Sequence, residues 1–168
     1  MSEFSRIVDV RHIVADPVVL VPDEAECRRL AGRFGISAID EMRAEVRLVR
    51  EGDAVTATGR LTAAIVQPCA ISGEDFPVKI DEPVNLRFVH PAAAHVDEEL
   101  EITAEDCDEI EYEGVTLDLG EAIAQTLALA IDPFAEGPEA DRARAEHNLA
   151  GDPSSGPFAA LAALKKQG

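Results

Sequence analysis

The most reactive side chains of this chain are three cysteines and four histidines, and their spacing limits what they can do. Cys27, Cys69 and Cys107 are odd in number and form no C-x-x-C pair, so neither a disulfide framework nor a zinc ribbon is written in them. His90, His95, Asp97 and Cys107 lie near one another in sequence, but at spacings that match no zinc motif, which favours surface histidines. Cys69 stands in a distinctive run, Gln67-Pro68-Cys69-Ala70-Ile71-Ser72-Gly73-Glu74-Asp75-Phe76. No base is close by. Acidic surroundings should raise the thiol pKa, the wrong direction for a nucleophile, and a small apolar residue at a hairpin turn is the expectation. A Walker-type phosphate loop, a G-x-S-x-G elbow, an H-E-x-x-H helix and a Rossmann glycine fingerprint are all missing from the sequence. The expectation is therefore a protein that acts by binding, with no catalytic residue, metal or cofactor. A small metal- or thiol-dependent enzyme is the alternative from another class, and an acidic adaptor is a further one.

Charge is the stronger signal. Among 168 residues, 33 are Asp or Glu and 15 are Lys or Arg, for a net charge of −18. A protein that grips phosphates gains its affinity from Lys and Arg displacing counterions, so this balance disfavours RNA or DNA and anionic membranes as direct ligands. It suits a basic partner, steered in at long range. Residues 88–141 hold 16 acidic side chains and no Lys or Arg. The densest part is 97–113, where Glu98, Glu99, Glu101, Glu105 and Asp106 read either as a solvated loop or as a docking surface for that partner. The first ten residues carry Glu3 and Asp9 and no apolar signal-like run. The longest uncharged apolar stretch, 122–131, is far short of the roughly 20 residues of a membrane span, so a cytoplasmic location with reduced thiols is expected.

Hydrophobic periodicity supplies the elements that must position these residues. Ile7, Val8 and Val10 suit a short strand. Asp23, Glu24 and Glu26 precede Arg28, Arg29 and Arg33, a charge order that complements a helix dipole, and Cys27, Leu30, Ala31 and Phe34 share a face before Gly35. From Glu41 the period becomes two: Met42, Ala44, Val46 and Leu48 oppose Glu41, Arg43, Glu45 and Arg47. A turn at Glu51-Gly52-Asp53 leads to a second alternating run, and a third places Ile80, Val84, Leu86 and Phe88 opposite Lys79, Asp81, Asn85 and Arg87. Pro77 and Pro83 predict an edge or an interruption there. If RNA is touched at all, the candidates are Arg43, Arg47, Arg60, Lys79 and Arg87 on the polar side of this sheet. Ile110–Tyr112 and Val115–Leu117 around Glu113-Gly114 predict a small hairpin. Asp118 and Glu121 then predict a capping box for a helix that Pro133 ends.

These elements make an α+β domain over residues 1–134: an antiparallel β-sheet of long strands packed by two helices, with the acidic loop at 97–113. Residues 135–156 read as a flexible linker and 157–168 as a short C-terminal amphipathic helix, with Pro157 at its start. Its apolar positions Phe158, Leu161 and Leu164 either pack back on the domain or dock in a partner's groove.

Three stretches resemble the YceD family, known as large ribosomal RNA subunit accumulation proteins. They are the run Val66–Glu74 between two long strands, Gly114–Glu121 leading into Ala124–Pro133, and Gly156–Lys165. The resemblance implies a non-enzymatic accessory role in the synthesis, processing or stability of large-subunit ribosomal RNA. Family genes often neighbour one for a large-subunit ribosomal protein, which implies a ribosomal protein or pre-ribosomal particle as partner. Some members carry an arginine or further cysteines around the motif. This chain does not, so no zinc site is carried over, and Gln67, Pro68, Cys69 and Glu74 are a motif without an assigned role.

Overall fold

The computed structural model describes residues 2–91 and 108–147. They form an α+β fold with seven strands and three helices among the described residues. Strands β1 (Ile7–Asp9) and β7 (Thr116–Asp118) pair antiparallel as a two-stranded sheet. The larger sheet runs in the order β2 (Val18–Leu20), β3 (Ala38–Glu51), β4 (Ala54–Pro68), β5 (Asp75–Val89), β6 (Asp108–Glu111). Helix α1 spans Glu24–Phe34, α2 spans Leu119–Ala130 and α3 spans Ala140–Glu146.

The alternation along β3 and β4 appears as expected. Met42, Ala44, Val46 and Leu48 on β3 are buried with Val55, Ala57, Leu61, Ala63 and Ile65 on β4, and α1 and α2 add Leu30, Ala31, Leu119, Ile123 and Leu127 to the same core. One face of the sheet is therefore covered and the other faces water. Two glycines mark where backbones press together. A Cβ on Gly59 would lie 1.9 Å from the Glu45 carbonyl oxygen, and one on Gly120 would lie 2.7 Å from both the Arg6 nitrogen and the Phe4 carbonyl oxygen.

Both long helices begin as their sequences dictate, with one exchange of roles. The reciprocal capping box belongs to α1: Asp23 accepts from the Glu26 amide at 2.7 Å and Glu26 accepts from the Asp23 amide at 2.8 Å. At α2, Asp118 caps the Glu121 amide at 3.1 Å, but Glu121 turns to other partners. It receives Arg33 at 2.7 and 3.0 Å, the Ser2 hydroxyl at 2.5 Å and Gln125 at 3.2 Å. Arg33 also reaches Glu3 at 3.0 Å, so this network joins the N-terminus, α1 and α2. Arg6 makes a forked pair with Glu26 at 2.8 and 2.9 Å and lies over the Phe4 ring.

The small hairpin expected at 110–117 does not form. Its halves part company: β6 adds parallel to β5, with Leu86 opposite Asp108, while β7 joins β1. Tyr112 sits where they separate, its amide donating to the Val89 carbonyl and its hydroxyl to the Asp53 carbonyl. The prolines of β5 find an edge of limited extent. β6 pairs only with Leu86–Val89, so Pro77 and Pro83 lie on the portion that β6 leaves open.

The chain divides into two compact units. One takes in Met1–Gln67 and Pro77–Asp132 and holds the core just described; the other takes in the hairpin tip Pro68–Phe76 and the chain from Pro133 onward. The division cuts across the expected 1–134 domain. Within the expected linker 135–156, α3 is a helix with Ala140 and Ala143 buried, and Arg144 pairs with Glu136 and Asp141. A pattern of small residues three apart buries a face without any large hydrophobe. The expected helix 157–168 lies outside the described residues.

Candidate functional site

The hairpin tip is built around the Cys69 carbonyl and amide. The amide donates to the Glu74 carbonyl at 2.8 Å, and the carbonyl accepts from the Gly73 amide at 2.9 Å, closing a turn for which Gly73 takes φ 73°. The turn curls its own amides onto the sulfur: those of Ile71 and Ser72 each lie 3.4 Å from Cys69 Sγ. The Ser72 side chain and the Gly137 backbone also favour its thiolate form. Hydrogen bonds from Ser72 and these amides hold the thiol down to about 7, against the raising effect of burial. The expected upward shift from Glu74 and Asp75 is thus overturned, because the groups that touch the sulfur are donors while the carboxylates are exposed to water. Cys27 shows the opposite case. Burial, then Asp23 and Glu26, push its thiol up.

Ala135, Gly137 and Arg142 of the same unit meet the tip. The Ala70 amide donates to the Ala135 carbonyl at 3.0 Å, Gly137 lies against the Phe76 ring, and Arg142 pairs with Glu74 at 3.4 Å. Cys69, at 4% exposure, is buried, as are Ala140 and Ala143. The other motif residues divide by role. Pro68 is exposed, Glu74 is the exposed partner of Arg142, and Gln67 is buried in the larger unit, where its Nε2 donates to the Asp132 carbonyl at 2.8 Å. That bond ties together two of the places where the chain leaves the larger unit. Gln67 Oε1 has no hydrogen-bond partner among the described residues.

The five candidate RNA contacts do stand together on the open face of the large sheet, all exposed. Register places Arg43 opposite Thr62, Arg60 opposite Glu45 and Arg47 opposite Thr58. Three of the five cations are taken up by carboxylates on the same face. Arg60 makes a forked pair with Asp81 at 2.5 and 2.9 Å, Arg43 meets Glu45 at 3.3 Å and Arg87 meets Glu109 at 3.3 Å. Arg47 and Lys79 make no ion pair among the described residues.

The acidic candidates Glu98, Glu99, Glu101, Glu105 and Asp106, the terminal candidates Phe158, Leu161 and Leu164, and His95, Asp97 and Cys107 lie outside the described residues. His90 packs on the Tyr112 ring with centroids 4.3 Å apart. Among the described residues no three His, Cys, Asp or Glu side chains are grouped so as to hold a metal, and no helix is long and apolar enough to cross a membrane. Sequence reasoning missed the donors around Cys69, which come from the backbone and from Ser72 and Gly137. The signal available was Ser72-Gly73, a hydroxyl beside a residue free to turn left-handed. It also missed a groove beside β3 lined by Arg47, Arg50 and the sequence-distant Arg11.

No curated protein and no solved structure matches the chain. A family model described as "Large ribosomal RNA subunit accumulation protein YceD" matches residues 57–165, a span that runs from β4 through the Cys69 tip and α2 to the end of the apolar terminal segment. This match covers well over half of the sequence and includes all three stretches whose wording resembles that family, and the chain belongs to the YceD family.

Proposed function

We propose that this chain serves large-subunit ribosomal RNA accumulation as a non-enzymatic cytoplasmic accessory factor, by binding a basic ribosomal protein or a pre-ribosomal particle. The observation that carries this reading is the fate of the cations on the open sheet face. Arg43, Arg60 and Arg87 are each engaged by a carboxylate, while residues 88–141 offer 16 carboxylates and no Lys or Arg. An RNA-gripping face would hold its guanidinium groups free for phosphates. A sheet face that neutralises its own arginines, on a chain of net charge −18, favours a cationic protein.

In this reading Glu98, Glu99, Glu101, Glu105 and Asp106 accelerate encounter, and Phe158, Leu161 and Leu164 supply apolar contact. The test is affinity capture from native cytosol with proteins and RNA identified separately, followed by association kinetics with the captured partner. Neutralising the five acidic residues should slow association more than it speeds dissociation, and added salt should reproduce the effect. Replacing Arg47, Arg60 and Arg87 with Ser should leave capture of the basic partner intact. Association that ignores salt, or RNA recovery lost with those arginines while protein partners stay, would overturn the reading.

A further inference from the structure

The edge of β3 changes character partway along its length. β2 covers it at Ala44, Glu45 and Val46, paired with Leu20, Val19 and Val18. Continuing that register would set Pro17 opposite Arg47, and Pro17 has no N–H to give. The chain instead bends at Ala15 and Asp16 and returns to the short 3-10 turn Val10–His12. From Arg47 to Arg50, β3 therefore has β4 on one side and no main-chain hydrogen bond to the 13–17 loop on the other, among the described residues.

A groove of about 420 Å³ follows this open edge. Its lining contains three arginines, Arg11, Arg47 and Arg50, and no carboxylate, in a chain with more than twice as many acidic as basic residues. Arg11 is committed to Asp9. Arg50 donates only to the Gly52 and Val10 carbonyls, which leave its charge unneutralised, and Arg47 has no ion-pair partner among the described residues. Exposed apolar side chains line the groove as well: Val14 is 61% and Val49 is 46% exposed, and Val49 shares the open sheet face with Arg47.

We propose that this groove is a strand-addition site for an extended acidic segment of a partner protein. Each feature calls for one part of such a ligand. The open edge matches a peptide backbone, Arg47 and Val49 share the open sheet face and match a carboxylate and an apolar side chain two residues apart on an added strand, and Arg50, on the opposite face, matches a second carboxylate. An RNA strand would satisfy the arginines alone and leave the edge and the valines unmatched. The surface is opposite in charge to the acidic one invoked for capture of a basic partner, so the two proposals stand or fall separately.

The test uses the full chain and a fluorescein-labelled decapeptide repeating Glu-Val-Val, which can set Glu opposite both Arg47 and Arg50 and Val opposite Val49, read by anisotropy. Saturable binding should weaken at least tenfold with Arg47→Glu, an exposed position whose change leaves the fold's packing untouched. It should be lost when Lys replaces Glu in the peptide. A peptide N-methylated at alternate residues along one edge should also fail to bind, a result that needs no protein variant. Equal binding of the N-methylated peptide, or no response to Arg47→Glu, would overturn the proposal. Displacement of the peptide by a ten-nucleotide oligouridine at lower concentration than by unlabelled peptide would overturn it in favour of RNA.

Discussion

Replacing Ser72 with Ala removes the largest single cause that holds Cys69 near 7, while the amides of Ile71, Ser72 and Gly137 stay in place. An ordinary thiol titrates near 8.5 and is about 3% thiolate at pH 7, whereas one at about 7 is half thiolate. A hydroxyl donating to a thiolate contributes on the order of one pH unit, so the Ser72→Ala midpoint should move to about 8. Thiolate absorbance near 240 nm, followed through a pH titration in a Cys27→Ser, Cys107→Ser background, reads this directly. The sign of the linkage is fixed as well. A thiol lowered by folding stabilises the fold above its unfolded value, and that contribution fades as pH falls through 7. Ser72→Ala should lessen the gain in stability between pH 7 and 9. A Cys69 midpoint at 8.5 or higher in the parent protein, or one that ignores Ser72, would refute the donor account of this turn. Alkylation should stay slow in both proteins, because Cys69 is buried.

The remaining predictions concern the fold and its end. Glu121 is held to about 2 by Arg33 first, against an ordinary 4.5, so its contribution is whole above pH 4.5 and is lost as pH falls toward 2. With about a quarter of its side chain in water, Glu121→Gln should cost about 1–2 kcal/mol at neutral pH, lower the melting temperature by roughly 2–8 °C, and flatten the acid limb of the stability curve; a double-mutant cycle with Arg33→Gln checks the pairing. Gly59→Ala drives a methyl group into the Glu45 carbonyl and should destabilise by about 3 kcal/mol, measured by urea unfolding. Deleting residues 157–168 should leave the melting temperature nearly unchanged and weaken capture of the partner; a fall of several degrees would assign Phe158, Leu161 and Leu164 to the chain's own core.

Much of the fold was legible because its signals are local. Period-two alternation marks β3 and β4 residue by residue, and Asp23 and Asp118 announce the starts of α1 and α2 within a single turn. What stayed hidden depends on partners distant in the chain. Nothing within 108–118 tells β6 to run parallel to β5 and β7 to leave for β1. Glu121 has the spacing of a capping residue, yet a bidentate cation outweighs one backbone amide, and Arg33 is brought to it only by tertiary packing. α3 was legible only as a single helical turn in a linker, since Ala140 and Ala143 bury little area each and carry no conspicuous pattern. Of the candidate site, the motif's position was readable and its electrostatics were not. Counting nearby carboxylates in sequence says little about a sulfur whose contacts are N–H groups.

The family match begins at residue 57, yet the matched span leans on the residues before it. β4 lies between β3 and β5, and its buried Leu61, Ala63 and Ile65 share a core with Met42, Ala44 and Val46 from β3 and Leu30 from α1. α2 is pressed onto the Phe4–Arg6 backbone at Gly120, and its Glu121 is neutralised by Arg33. Residues 2–56 thus complete the core that holds β4 and α2, and they also carry the loop and strand edge of the arginine-lined groove. Within the larger unit, the matched and the earlier residues therefore share one core. Arg11, Arg47 and Arg50 of the groove all precede the matched span, so the proposed strand-addition site would use residues lying outside the family match.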